Sequence, residues 1–361
     1  MKIKEIHLYK IYHKSILLEV ITDDGIIGLG QFIAFSEKSQ THFFEELIKP
    51  FLIGKQIDDL KKIWHELYWR CQGKNGWIQV IAAIDIALHD IEGKYHKEPI
   101  WRKLGGIKAN EIQLYWSMGH GHKKSNKEMI ELIQKGLDLG FRAFKIRMDW
   151  HEYNLDINLE KDISMAREVK HFLGDEFPLG FDANGGYSSK AAIEQSKALS
   201  DLGISHFEEP VSTNDLFSLK EVIKESKLPV SFGEYEKTFN RFKEIVEITD
   251  LEILQPDVSN VGGISEHYKV FKYGNDQKKR VLPHSPDVGI LSFASLHVFN
   301  NFNLEELHEY SDELCNRDQN IVQDFFNENV LPISGKINLS DRPGLGLTLR
   351  EQKRKQLIKI A

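Results

Sequence analysis

From Gln113 onward the chain alternates between short apolar runs and longer stretches with apolar residues at helical spacing. The runs are EIQLYWS, FRAFKIR, PLGFDAN, ISHFEEP, LPVSFGE, LEILQPD, VLPH and LEELHE. Between them lie helical patterns such as SSKAAIEQSKALSDLG, FSLKEVIKES, NRFKEIVE and GISEHYKVFKYG. Each repeat has the length of one strand, one helix and two short loops. Eight strand candidates from Gln113 to Glu309 predict a (β/α)8 barrel rather than an open sheet.

The pattern before residue 110 is different. ILLEVITDDGIIGLGQF reads as two strands joined at Asp24-Gly25, a strong turn signal, and residues 39 to 70 carry helical spacing. IQVIAAIDIALHDIEGKYH places Ile81, Ile84, Leu88 and Ile91 at helical spacing beside Ala82, Ala83 and Ala87, so a buried helix is expected before KLGG. After Glu309 the repeat stops, and the tail with Pro343-Gly344-Leu345-Gly346 shows no such alternation. The expected organisation is an α+β capping domain over 1–111, a barrel catalytic domain over 112–319, and a segment over 320–361 that returns to the cap.

The barrel strands end on polar residues in one register. Asp182, Glu208 and Glu234 are spaced by the same 26 residues, and Asp257, His284 and Glu309 continue the series. Lys145 and Arg147 begin it, two apart and therefore on one side of their strand, as are Asp182 and Asn184. In a barrel these ends surround one pocket. Three converging carboxylates call for a hard divalent cation such as Mg2+, which would bind a substrate carboxylate while His284 or a lysine removes the weakly acidic proton beside it. Trp116 and Ser117 end the first barrel strand and are candidates to line the pocket. Gly262-Gly263 reads equally as a phosphate loop or a tight strand-to-helix turn. His120 and His122 form the His-x-His of a metal-dependent hydrolase, but the later strands offer Glu234, Asp257 and Glu309 where that chemistry wants His and Asp.

Composition narrows the field slightly. At 361 residues the chain is long for one core, and a net charge of −7 without a basic run argues against a general nucleic-acid binder. Cys71 and Cys315 are too few for a disulfide framework. No stretch approaches a membrane span, and the N-terminus lacks a signal-peptide core, so a cytoplasmic enzyme is expected.

Taken in order, KIR, FDAN, FEEP, FGE, QPD with Gly262-Gly263, PHSP and HEY resemble the motifs of the mandelate racemase/muconate lactonizing enzyme branch of the enolase superfamily. VITDDGIIGLGQ resembles its N-terminal hairpin, AAIDIALHDIEGK its capping helix and RPGLGL its C-terminal signature. The resemblance implies a modified, enolase-like barrel with Mg2+ held by Asp182, Glu208 and Glu234, and an acid/base dyad of His284 and Asp257. It also implies that Glu309, protonated or sharing a proton, bonds the substrate carboxylate. Asn184 and Lys145 would contact substrate or an enediolate, and the turn of Tyr12, His13 and Lys14 would close over the substrate.

Two residues depart from the pattern. Arg147 stands where many relatives carry a second lysine base, and a guanidinium keeps its proton, which disfavours two-base racemisation. Gln31 stands where relatives often carry Glu, and the sequence assigns it no role. The expected activity is dehydration of an aldonate or aldarate to a 2-keto-3-deoxy acid, with His284 as the single base and then acid. Lys145 is the rival base if its pKa is lowered. A cycloisomerase of an anhydro or lactone-type sugar acid is the alternative, followed by an epimerase or racemase. A non-enzyme reading is a barrel that binds metal without catalysis. The partner is a small sugar acid, with neither nucleic acid nor membrane, and self-association is left open.

Overall fold

The structure is a computed structural model that describes residues 1–361 except 13, 35, 72–76, 107–110, 151–153, 303–304 and 312–318, with the backbone alone at 319–320. Its first sheet is antiparallel, with β1 (Ile3–Lys10), β2 (Ser15–Thr22) and β3 (Ile27–Ile33) side by side. Gly25 N–H donates to Thr22 O at 3.0 Å and sits at φ +80°, the left-handed conformation that the Asp-Gly turn provides. The apolar face of the sheet is covered by the helix Ile78–His96. A Cβ on Gly30 would lie 2.0 Å from Ala83 O and one on Gly28 2.1 Å from Ala87 O. Glycines facing alanines therefore let helix and sheet backbones meet directly. The spacing over 39–70 resolves into the helices Glu37–Phe43, Lys49–Leu52 and Leu60–Cys71, the first two joined by a π-helical turn.

Eight parallel strands follow: β4 (Ile112–Met118), β5 (Phe144–Arg147), β6 (Leu179–Asp182), β7 (Phe207–Glu208), β8 (Val230–Phe232), β9 (Ile253–Leu254), β10 (Arg280–Val281) and β11 (His308–Tyr310). Each ladders to the next from β4 to β10, and β11 pairs with β4 from the other side. Between β10 and β11 the link is instead a side chain, with Ser285 N–H donating to Glu309 Oε2 at 2.7 Å. Helices between successive strands cover the outside, among them Ser189–Asp201, Ile264–Asp276 and Ile290–Phe299.

The tail pairs β12 (Lys336–Ile337) antiparallel to the start of β4. Further on, Leu345 N–H donates to Asp90 Oδ1 on the long helix of the first unit, and β13 (Ile358–Lys359) joins the edge of β1.

The long helix also docks on the barrel. Asp85, 3% exposed, accepts from Ser265 N–H at 2.9 Å and Ser265 Oγ at 2.6 Å, at the start of the helix Ile264–Asp276. Its carboxylate complements the unsatisfied N–H groups there. Trp64 Nε1 donates to Gly262 O at 2.7 Å, and a Cβ on Gly263 would lie 2.5 Å from Asp85. The Gly262-Gly263 pair is thus a turn against which the N-terminal unit packs, with a carboxylate at the helix end where the phosphate-loop reading would place an anion.

Candidate active site

Strand pairing determines which side chains enter the barrel. Lys145 is in register with Ser117 and Gly180, and Arg147 with Asp182, which pairs with Glu208. Residues in register on adjacent strands face the same side, so these form the inner wall. Glu234 lies two residues beyond β8, where strand alternation alone would turn it outward. Gly233 at φ +127° breaks the alternation, and a Cβ there would lie 2.6 Å from the Phe242 ring.

Asp182, Glu208 and Glu234 each offer an oxygen within 4.8 Å of the others, and all three are buried. Burial, then the charge of Glu208, pushes Asp182 well above the usual carboxylate range. Glu234 is raised first by burial, and its Oε2 faces His284 Nε2 at 3.3 Å without making a hydrogen bond. Glu208 is also buried, yet it is held low by Lys145, His206 and Gln255. Lys145 Nζ is 2.5 Å from Glu208 Oε1, Gln255 Nε2 donates to Oε2, and His206 Nε2 stands 3.8 Å away. Converging oxygens, an unsatisfied buried acceptor and mutual repulsion fit a hard divalent cation.

The other strand ends complete a cleft of about 270 Å³ lined by Arg147, Glu234, Tyr235, Asp257, His284 and Asp287, with Ile33 and Gln79 from the N-terminal unit. His284 Nδ1 is 2.9 Å from Asp257 Oδ2, and its Nε2 is 3.3 Å from Glu234 Oε2. Asp257 is itself held, its Oδ1 accepting from Ser259 N–H and Asn260 N–H. Burial disfavours the imidazolium, but Glu234, Asp257 and Glu309 outweigh it and raise His284 to about 10. The N-terminal unit also reaches the acid cluster, for Gln79 Nε2 donates to Asn260 Oδ1 at 2.9 Å and Asn260 Nδ2 to Glu234 O at 2.9 Å.

Several expectations change. Trp116 is in register with Phe144, on the outer side of the wall, and packs on Phe141 with ring centroids 5.3 Å apart. It is a packing residue, and Tyr115, in register with Glu309 and with Lys145 Nζ 5.7 Å from its ring centre, faces inward in its place. Lys145, the rival base, is paired with Glu208 at 2.5 Å and Glu309 at 2.9 Å. Burial would lower it, but Glu208 and Glu309 raise it well above the usual lysine value. Glu309 is drawn down to about 2, as Lys145 and His284 outweigh its burial. Asn184 sits at φ +50° and bonds Asp182 and Asp149 N–H, so it orients the first acid. His122 Nδ1 is 2.8 Å from Met148 O and His120 pairs with Asp149. Among the described residues the three acids form the single cluster with metal-binding geometry. His13 lies outside the described residues.

Glu209 and the role of Gln31 escaped the sequence reading. Glu209, 2% exposed at φ +38°, has a carboxyl raised by burial and by Glu234, and lies beside the acid cluster. FEEP offers two adjacent glutamates, and strand register picked only the first. Gln31 Nε2 donates to Asp287 Oδ2 at 2.6 Å.

Residues 11–105 match the mandelate racemase / muconate lactonizing enzyme N-terminal domain, and residues 128–353 match the enolase C-terminal domain-like family. The chain belongs to the mandelate racemase/muconate lactonizing enzyme branch of the enolase superfamily. Within it, an arabinonate dehydratase from Saccharolobus solfataricus is 29% identical over 340 residues, covering 92% of this chain and 87% of the relative. A mandelate racemase/muconate lactonizing protein from Paracoccus denitrificans PD1222, solved in complex with magnesium, superposes with a TM-score of 0.92 at 28% identity, covering 100% of this chain and 99% of that one. The 3,6-anhydro-D-galactonate cycloisomerase from Zobellia galactanivorans superposes with a TM-score of 0.86 at 27% identity, covering 99% and 100%. No helix among the described residues is long and apolar enough to cross a membrane.

Proposed function

We propose that this protein is a Mg2+-dependent dehydratase of a sugar acid, with one residue, His284, moving the proton. The observation that carries the reading is the contrast among the basic groups of the barrel's inner wall and cleft. Lys145 is held as a cation by two carboxylates, Arg147 cannot give up its proton, and His284 alone of these three has a nitrogen suited to both roles.

Asp182, Glu208 and Glu234 would hold the cation. Bound there, it supplies positive charge that balances the acids and stabilises negative charge on a substrate carboxylate. An occupied site would draw the Glu234 charge away from Nε2 and so favour the neutral imidazole, the form that can accept a proton. Asp257, bonded to Nδ1, fixes the tautomer that presents Nε2 to the cleft. His284 takes the proton α to the carboxylate and returns it to the departing β-hydroxyl. Water leaves, and the enol tautomerises to a 2-keto-3-deoxy acid. Arg147 clamps substrate oxygens, and Lys145 with Ser285 N–H keeps Glu309 in place.

The arabinonate dehydratase supports this class, and arabinonate is the first acid to test. The cycloisomerase supports the alternative, in which a ring oxygen is the β leaving group. A screen of mono- and diacid sugars with Mg2+, scored for 2-keto-3-deoxy acid, tests the proposal. Turnover confined to anhydro acids would favour the alternative, and turnover to epimers alone would reject both.

A further inference from the structure

His284 sits in a stretch, residues 282–288, that has no regular secondary structure. A segment without a ladder must be pinned by other groups. Three pins come from the barrel: Leu282 N–H to Leu254 O, His284 to Asp257, and Ser285 N–H to Glu309. A further pin comes from the N-terminal unit. Gln31 Nε2 lies 2.6 Å from Asp287 Oδ2, 2.8 Å from Ser15 Oγ and 3.0 Å from Tyr12 OH. Tyr12 OH donates to Val288 O at 3.2 Å and stands 3.3 Å from Asp287 Oδ1. Gln31 and Asp287 are 1% and 2% exposed, so this network is shielded from water, where an unmet polar group is costly.

The chemistry of the pair is directional. Asp287 as a carboxylate only accepts, and the Gln31 amide nitrogen donates to it. A glutamate at position 31 would set two acceptors against each other in a buried site. The hydroxyls of Ser15 and Tyr12 can turn to donate or accept, so the network can run in the opposite sense if both ends are exchanged.

We infer that Gln31 is a positioning residue for the reaction: through Asp287 it latches the N-terminal sheet to the His284 segment and so sets the imidazole against the acid cluster. The inference rests on His284 being the proton carrier, but the latch itself can be read from the protein alone. Hydrogen–deuterium exchange is measured on the full-length wild type, Gln31→Glu, and Gln31→Glu/Asp287→Asn. The single variant should speed exchange of the amides in 284–291 by about tenfold or more, and the double variant should return it to within about threefold of wild type. With an acid that the enzyme turns over, kcat should fall in Gln31→Glu with a smaller change in KM, and recover in the double variant. Unchanged protection of 284–291 in the single variant, no recovery in the double, or a loss spread evenly over the chain would overturn the latch. A single variant that fails to fold while the double folds supports it, and a double variant that stays unfolded counts against it. If exchange follows the pair but no acid is turned over, the functional reading fails and the latch stands.

Discussion

Lys145 on β5 and Glu309 on β11 meet inside the barrel with Nζ 2.9 Å from Oε1, although β4 lies between their strands. The same ammonium reaches Glu208, so one lysine bridges two buried acids and joins the metal-binding side of the site to the last strand. Such a charge holds its neighbours in place, and its loss would leave two carboxylates facing each other. Lys145→Met should cost about 3–5 kcal/mol in metal-free protein, and adding Glu309→Gln should recover part of that. Denaturant unfolding of the two variants checks this.

The acid cluster predicts cation affinity. Asp182→Asn, Glu208→Gln and Glu234→Gln remove charge at nearly constant volume, so each should weaken Mg2+ binding by more than about tenfold in calorimetric titration with the circular dichroism unchanged. Wild-type affinity in all three would place the cation elsewhere.

The fold was legible because its signal is periodic. Short apolar runs alternating with helical stretches at even intervals predict parallel βα units, and polar residues at the ends of those runs predict one rim. What the sequence does not show is side-chain direction within a register. Trp116 and Tyr115 are adjacent and both aromatic, and only the pairing of Trp116 with Phe144 puts the tryptophan outside. Charge state is hidden for a similar reason. Lys145 is beside Arg147 in sequence, but its charge is set by Glu208 and Glu309, which are distant in the chain. Gln31 and Asp287 touch across 256 positions, so neither residue announces the other.

Stability should depend on pH through three buried imidazoles. Burial lowers His267 to about 3 and His297 and His308 to about 4, and their ring nitrogens bond Ser295 and Leu345 O. The unfolded chain takes up protons near pH 6.5 and the native one does not. This contribution is therefore complete above about 6.5 and is lost as pH falls toward about 4 for His297 and His308 and toward about 3 for His267. Replacing His267 with Asn should make the fall shallower by about 1.4 kcal/mol per pH unit, read from unfolding curves across that range.

Docking of the N-terminal unit should depend on Gly263. An added Cβ would press on Asp85 at 2.5 Å, and the backbone is at φ +100°. Gly263→Ala should therefore destabilise the protein by about 1–3 kcal/mol or more, with exchange rising first in the start of the helix Ile264–Asp276. An unchanged melting temperature would mean that the contact yields without cost.

Deuterium incorporation in heavy water tests whether His284 alone carries the proton. Wild-type enzyme with Mg2+ and a substrate acid should form the 2-keto-3-deoxy product and take up deuterium from solvent. His284→Asn should lose both α-proton exchange and product, while Arg147→Lys should raise KM and leave exchange in one stereochemical series. Exchange that persists in His284→Asn would contradict the account, since another group on the cleft wall would then be removing the proton.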